Sequence, residues 1–244
     1  MKILQLFAAL LLAGCATADR VQQLEDKLTS LEAKVESLEK KGPAAKTAAG
    51  GDAASDADEN AAREMFTEVN ALMKEGKMDE AKAKIAQMEK KYGSTKTWRR
   101  ARKVSAELEV IGKDSGKLEV EKWLQGEGEV DFNSSKPTMV VFWEIWCPHC
   151  KREVPQLQAT YDEYKGKGLQ MVGLTKLTRS STEEKVKEFM KEKNVSYPIA
   201  KETGSISKLF NVSGIPAAAV VKEGKIVWRG HPARLSKEMI EGWL

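Results

Sequence analysis

The feature that most constrains this chain is an apolar run that ends in a closely spaced cysteine pair. Thr138-Met139-Val140-Val141-Phe142-Trp143 is continuously apolar after its first residue. A run of this length suits a strand covered on both faces. Cys147-Pro148-His149-Cys150 follows, then a helical pattern to about Tyr164, then a second apolar run over Leu169–Leu174. Strand, helix and strand in that order predict a βαβ unit with parallel strands. Beyond it the pattern predicts a helix from about Thr182 to Lys193 and a final helix over Leu235–Leu244. Between them, Ala217–Val221 and Lys225–Trp228 predict a hairpin turning at Glu223-Gly224. The fold class is therefore α/β over residues 118–244, a central mixed sheet flanked by helices.

The cysteine spacing points to redox chemistry. At the start of a helix the first cysteine meets free backbone N–H groups and the positive end of the dipole, which favour a thiolate. The second lies one turn inside, within reach of a disulfide. The expectation is an exposed nucleophile at Cys147 and a shielded resolving thiol at Cys150. Pro148 suits the first helical turn because its missing N–H is not needed there. His149, if protonated, adds positive charge beside Cys147. A c-type haem site would need histidine directly after the second cysteine, where Lys151 stands. Zinc would need two more ligands, and His231 is the only further histidine. No metal or other cofactor is expected.

The segment Val141-Phe142-Trp143-Glu144-Ile145-Trp146-Cys147-Pro148-His149-Cys150-Lys151-Arg152-Glu153-Val154-Pro155 resembles the active site of thioredoxin-fold proteins. More narrowly, it is similar to the TlpA/ResA-like thiol-disulfide oxidoreductases of the bacterial envelope. Gly214-Ile215-Pro216 matches that family's second landmark, a loop with a cis-proline. The resemblance implies a thioredoxin fold, Cys147 and Cys150 as the exchanging thiols, and Glu153 as proton acceptor near them. It places Pro155 where the family kinks its active-site helix. Val141 stands where thioredoxin itself has a buried aspartate, so that acid is absent. A cis Ile215–Pro216 bond would present the Ile215 backbone beside Cys147, where a substrate segment could pair as an added strand. Trp146, Pro148 and His149 complete the expected substrate-binding face, with Trp143 in the core and His231 a loop residue. The implied partners are disulfide-containing envelope proteins and a membrane electron-relay protein that recycles the pair. Reduction or isomerisation is the expected direction, rather than dedicated oxidation.

The remaining half suggests where this chemistry takes place. Met1-Lys2 and the apolar Ile3–Leu12 read as a signal peptide over residues 1–14, too short to span a bilayer. Leu12-Ala13-Gly14-Cys15 resembles the bacterial lipoprotein box, making Cys15 a lipid attachment point and the lipid the only membrane contact. The expected location is the envelope, facing the periplasm, with Ala16 pointing to the outer membrane. Within residues 15–41, Val21, Leu24, Leu28, Leu31, Val35 and Leu38 mark a coiled coil. The pairings Arg20–Glu25, Lys27–Glu32 and Lys34–Glu39 favour a parallel homo-oligomer. Residues 42–60 read as a flexible linker. Residues 61–117 form a proline-free helical module whose Glu75–Ala81 segment resembles the turn of a tetratricopeptide repeat. The basic cluster Arg99, Arg100, Arg102 and Lys103 reads as a solvated helix face. A net charge of +4 without a concentrated basic surface is a weak basis for nucleic-acid binding. The rival reading is a non-catalytic envelope scaffold lipoprotein that binds proteins through its coil and helices. The cysteine pair argues against it, because a platform has no need of both thiols.

Overall fold

The computed structural model describes residues 54–126 and 130–244. The signal peptide, Cys15, the heptads and most of the linker lie outside the described residues. Residues from Ala53 to Leu244 form one compact unit. Among the described residues, no helix is long and apolar enough to cross a membrane.

Three helices open the structure: α1 (Asp56–Lys74), α2 (Met78–Tyr92) and α3 (Lys96–Glu109). α1 begins before Asn60, inside the segment that composition assigns to a linker. The Ser55 side chain accepts from the Asp58 amide, and Asp56, Asp58 and Glu59 complement the helix dipole. Glu59 also reaches across to the start of α3, accepting from the amides of Lys96 at 2.8 Å and Thr97 at 2.9 Å.

The rest is a six-stranded sheet with flanking helices. Its strands are β1 (Lys122–Gln125), β2 (Thr138–Phe142), β3 (Gln170–Thr175), β4 (Ile199–Lys201), β5 (Ala217–Lys222) and β6 (Lys225–Gly230). Their order is β1-β4-β3-β2-β5-β6. β2 runs parallel to β3 and antiparallel to β5, so the sheet is mixed. Helix α4 (Pro148–Tyr164) makes the β2–β3 crossover. It is followed by α5 (Glu183–Glu192), α6 (Ser205–Leu209) and α7 (Lys237–Trp243). Strands β1 and β4 and helix α6 are absent from the sequence reading. They are short, and β1 is a half-exposed edge whose residues carry no clear alternation.

Alternation along β2 and β3 builds a core on each face. Met139, Val141, Trp143 and Met171 pack with α4 and α5 residues such as Val154, Leu157, Val186 and Phe189. Val140, Phe142, Val172 and Leu174 face the other way, into a cluster that includes Val69, Ile85, Trp98, Val104 and Leu108. The helical segment thus shares a core with the sheet. Specific bonds tie it further: Asn211 Nδ2 donates to the Ala106 carbonyl at 3.1 Å, and Arg234 pairs with buried Glu107 at 3.0 Å.

Candidate functional site

The site forms where β2 ends and α4 begins. After Phe142 the chain stays attached to β3 through the Trp143 amide, which donates to the Leu174 carbonyl at 3.0 Å. It then turns, with the Cys147 amide donating to the Glu144 carbonyl at 3.1 Å. Cys147 is the N-cap of α4, in extended conformation, and its sulfur accepts from the Cys150 amide at 3.3 Å. Pro148 occupies the first turn. The opposite wall is the loop after α6, where the Ile215–Pro216 peptide is cis. Cys147 Sγ lies 3.9 Å from the Ile215 carbonyl oxygen, to which the thiol can donate. The cysteine pair and the Gly214-Ile215-Pro216 loop, far apart in the chain, therefore meet at one sulfur.

Both cysteines are reduced in this structure. Cys147 is only 4% exposed, against 0% for Cys150. The expectation of an openly exposed nucleophile is thus corrected: the Ile215 backbone and the first turn of α4 cover all but a small part of it. Burial is the first cause pushing the Cys150 thiol well above its ordinary range, followed by its hydrogen bond with Cys147. The charge of Glu144 acts in the same direction. Cys150 is therefore held as a protonated thiol.

Glu144 is a buried acid beside the thiols that sequence reasoning passed over. It is 5% exposed, an acid beneath the active-site surface. Its carboxylate accepts from the Thr175 hydroxyl at 3.2 Å, the Lys176 amide at 3.2 Å and the Thr178 amide at 3.3 Å. These donors explain how a carboxylate tolerates burial. The available signal was a lone acid inside an otherwise apolar Val140–Trp146 run. Glu153, one turn beyond Cys150, is half-buried on α4. The thiols' hydrogen bonds run to each other, to Ile215 and to the Glu144 backbone, not to Glu153. Its charge instead reaches His231, partly opposing the burial that lowers that imidazole below its usual range. His231 Nδ1 accepts from the Ala233 amide at 3.2 Å and caps the short turn Pro232–Arg234.

The aromatic and basic neighbours are placed as follows. Trp146 Nε1 donates to the Thr178 hydroxyl at 3.0 Å, and the Arg179 guanidinium lies 3.7 Å from the ring centroid. Trp143 is buried against Phe189. Arg152 Nη2 lies 2.6 Å from His149 Nδ1. A guanidinium can only donate, so Nδ1 is the acceptor of this contact. Arg152 places a cation beside the active-site turn. Glu144, Trp146, Lys176, Gly214 and Ile215 line a cleft of about 180 Å³.

Buried Arg229 supports the loop that carries Ile215. Its side chain donates to the Phe210 carbonyl at 2.9 Å and the Ala218 carbonyl at 3.3 Å, which lie on either side of that loop. A third bond reaches the Gly230 carbonyl at 3.0 Å. Among the described residues, no three of His, Cys, Asp and Glu cluster closely enough to hold a metal ion.

Residues 112–229 match the AhpC/TSA family. Sporulation thiol-disulfide oxidoreductase A of Bacillus subtilis is 25% identical over 123 residues, covering 50% of this chain and 74% of its own length. Thiol-disulfide oxidoreductase ResA of Bacillus cereus is 29% identical over 136 residues, covering 55% and 76%. The crystal structure of StoA from Bacillus subtilis superposes with a TM-score of 0.42 at 27% identity, over 51% of this chain and 96% of that one.

Proposed function

We propose that this chain, which is similar to the AhpC/TSA family over residues 112–229 and to the thiol-disulfide oxidoreductases named above, is a TlpA/ResA-like oxidoreductase whose Cys147/Cys150 pair reduces or isomerises disulfides in proteins of the cell envelope. The observation that carries this reading is the position of Cys147 Sγ. It caps α4, accepting the Cys150 amide at 3.3 Å, and lies 3.9 Å from the Ile215 carbonyl. A substrate strand pairing with the Ile215 backbone would bring its own sulfur to that atom.

The exchange proceeds in two displacements. Cys147 thiolate attacks one sulfur of the substrate disulfide. That S–S bond breaks, a mixed disulfide forms, and the departing substrate thiolate takes a proton. Cys150 then loses its proton and attacks Cys147 Sγ. The second substrate thiol leaves, the substrate has gained two electrons, and the chain holds a Cys147–Cys150 disulfide. In isomerisation the substrate's own thiol resolves the mixed disulfide instead. Cys150 stays protonated and inert until the first step has consumed the Cys147 thiolate. Forming the mixed disulfide also removes the Cys147 contribution that raises Cys150, which prepares the second attack. Glu153 is the proposed acceptor of the Cys150 proton. Trp146, Pro148, His149, Ile215 and Pro216 form the proposed substrate face.

The sequence supports the envelope location through its leader, the lipid attachment at Cys15 and the heptads of 19–41, which would hold a parallel homo-oligomer at the membrane. A membrane electron-relay protein is the proposed partner that restores the dithiol. Insulin reduction tests the core of the proposal. Wild type should be active and Cys147→Ala inactive. Cys150→Ala should accumulate a mixed disulfide, separable on a non-reducing gel. Equal inactivity of wild type and Cys147→Ala would return the scaffold reading to first place.

A further inference from the structure

We infer that the substrate segment is acidic, held on a cationic rim to which the helical segment contributes Lys103. This rests on the thiol–disulfide reading and specifies the substrate of that same site. Four exposed cations, from separate parts of the chain, border the residues that flank Cys147. Lys103 comes from α3: a Cβ placed on Gly214 would lie 3.5 Å from its Nζ. Arg152 contacts His149, within the active-site turn. Arg179 stacks on Trp146, the residue before Cys147. Lys176 lines the cleft formed with Glu144, Trp146 and Ile215.

Among the described residues, none of these four forms a side-chain ion pair. Exposed lysines elsewhere do: Lys113 with Glu109, Lys122 with Glu183 and Lys237 with Glu163. The acids near the site do not neutralise the rim. Glu107 is committed to Arg234. Glu144 and Glu202 are buried and accept backbone amides, from Lys176 and Ser207 respectively. Glu153 is half-buried, and its charge, like that of Lys103, acts on His231. The solvent-exposed charges of the rim are thus positive, above two buried carboxylates, Glu144 and Glu202, that line the cleft. Unpaired cations of this kind raise the local concentration of an oppositely charged partner and slow like-charged ones. The α3 cluster is accordingly more than a solvated face, because Lys103 borders the loop on which substrate would pair.

The test uses the whole chain and three disulfide substrates. Two are disulfide-linked peptide dimers of equal length, one with Asp and Glu flanking the cysteine and one with Lys there. The third is neutral hydroxyethyl disulfide. At low salt the acidic peptide should be reduced about tenfold faster than the basic one, and the ratio should collapse as salt shortens the screening length. Lys103→Glu should slow the acidic peptide about threefold and speed the basic one by a similar factor. Opposite changes cannot come from misfolding. Equal rates for the two peptides in wild type would overturn the inference, as would a variant that shifts both in the same direction. Failure to reduce even hydroxyethyl disulfide would instead sink the oxidoreductase reading itself.

Discussion

Replacing Arg229 by methionine removes the bonds that join Phe210, Ala218 and Gly230 while roughly preserving the aliphatic volume. Arg229 is 2% exposed, so water cannot substitute for the lost donors. Each buried carbonyl left without a partner costs about 1–3 kcal/mol. The strand carbonyls of Ala218 and Gly230 lie within sheet pairing, so the heaviest loss falls on Phe210, at the end of α6. Burial holds the Arg229 guanidinium below its ordinary range, a cost the variant no longer carries. The net destabilisation is expected to be about 2–3 kcal/mol, which for a chain of this size lowers the urea midpoint by about 1 M. Because Phe210 and Ala218 flank the loop with Ile215, the variant should also lose more rate on a peptide disulfide than on hydroxyethyl disulfide. Arg229→Lys, which keeps the charge on one nitrogen, should fall between. A midpoint shift below about 0.3 M, with an unchanged ratio of peptide to small-disulfide rates, would refute the clamp.

Glu144→Gln removes a charge that raises Cys150, so the Cys150 thiol should ionise at lower pH, read from thiolate ultraviolet absorbance in a Cys147→Ala background. An unchanged titration would mean that Glu144 only braces the Thr175–Thr178 turn. The reduced protein should lose stability as pH rises. Burial raises both Cys150 and Tyr197, so the unfolded chain releases these protons first, beginning near pH 8.5. Thermal melts should fall above that point, and Cys150→Ala should flatten the first part of the decline. Gly173→Ala would place a Cβ 2.5 Å from Ile199 Cδ1 and 3.0 Å from Trp143 Nε1. Denaturant titration should show a loss of about 1–3 kcal/mol, and no loss would mean that the β3–β4 contact yields easily.

Much of this molecule is legible in the sequence because the relevant forces are local. β2 and β3 follow from apolar runs, α4 from the helix-start position of Cys147, and the β5–β6 hairpin from its Glu223-Gly224 turn. The site's two landmarks, Cys147-Pro148-His149-Cys150 and Gly214-Ile215-Pro216, are also readable as residue strings. The start of α1 was lost because an Asp- and Ala-rich stretch suits a linker until Ser55 is seen to cap it. Strands β1 and β4 were lost because so few residues carry no period.

The sequence by itself determined that two cysteines stand at a strand-to-helix junction, one at the helix end and one a turn inside. Tertiary structure alone decided how deeply each sulfur is covered, that the Glu144 carboxylate is buried beside them, and that Lys103 borders Gly214. Asn211 reaches Ala106 across 105 positions of the chain, and Arg229 reaches Phe210 across 19. Local preferences act over a turn or a strand. Burial, charge and clamping at this site depend on packing between segments whose proximity no local pattern encodes.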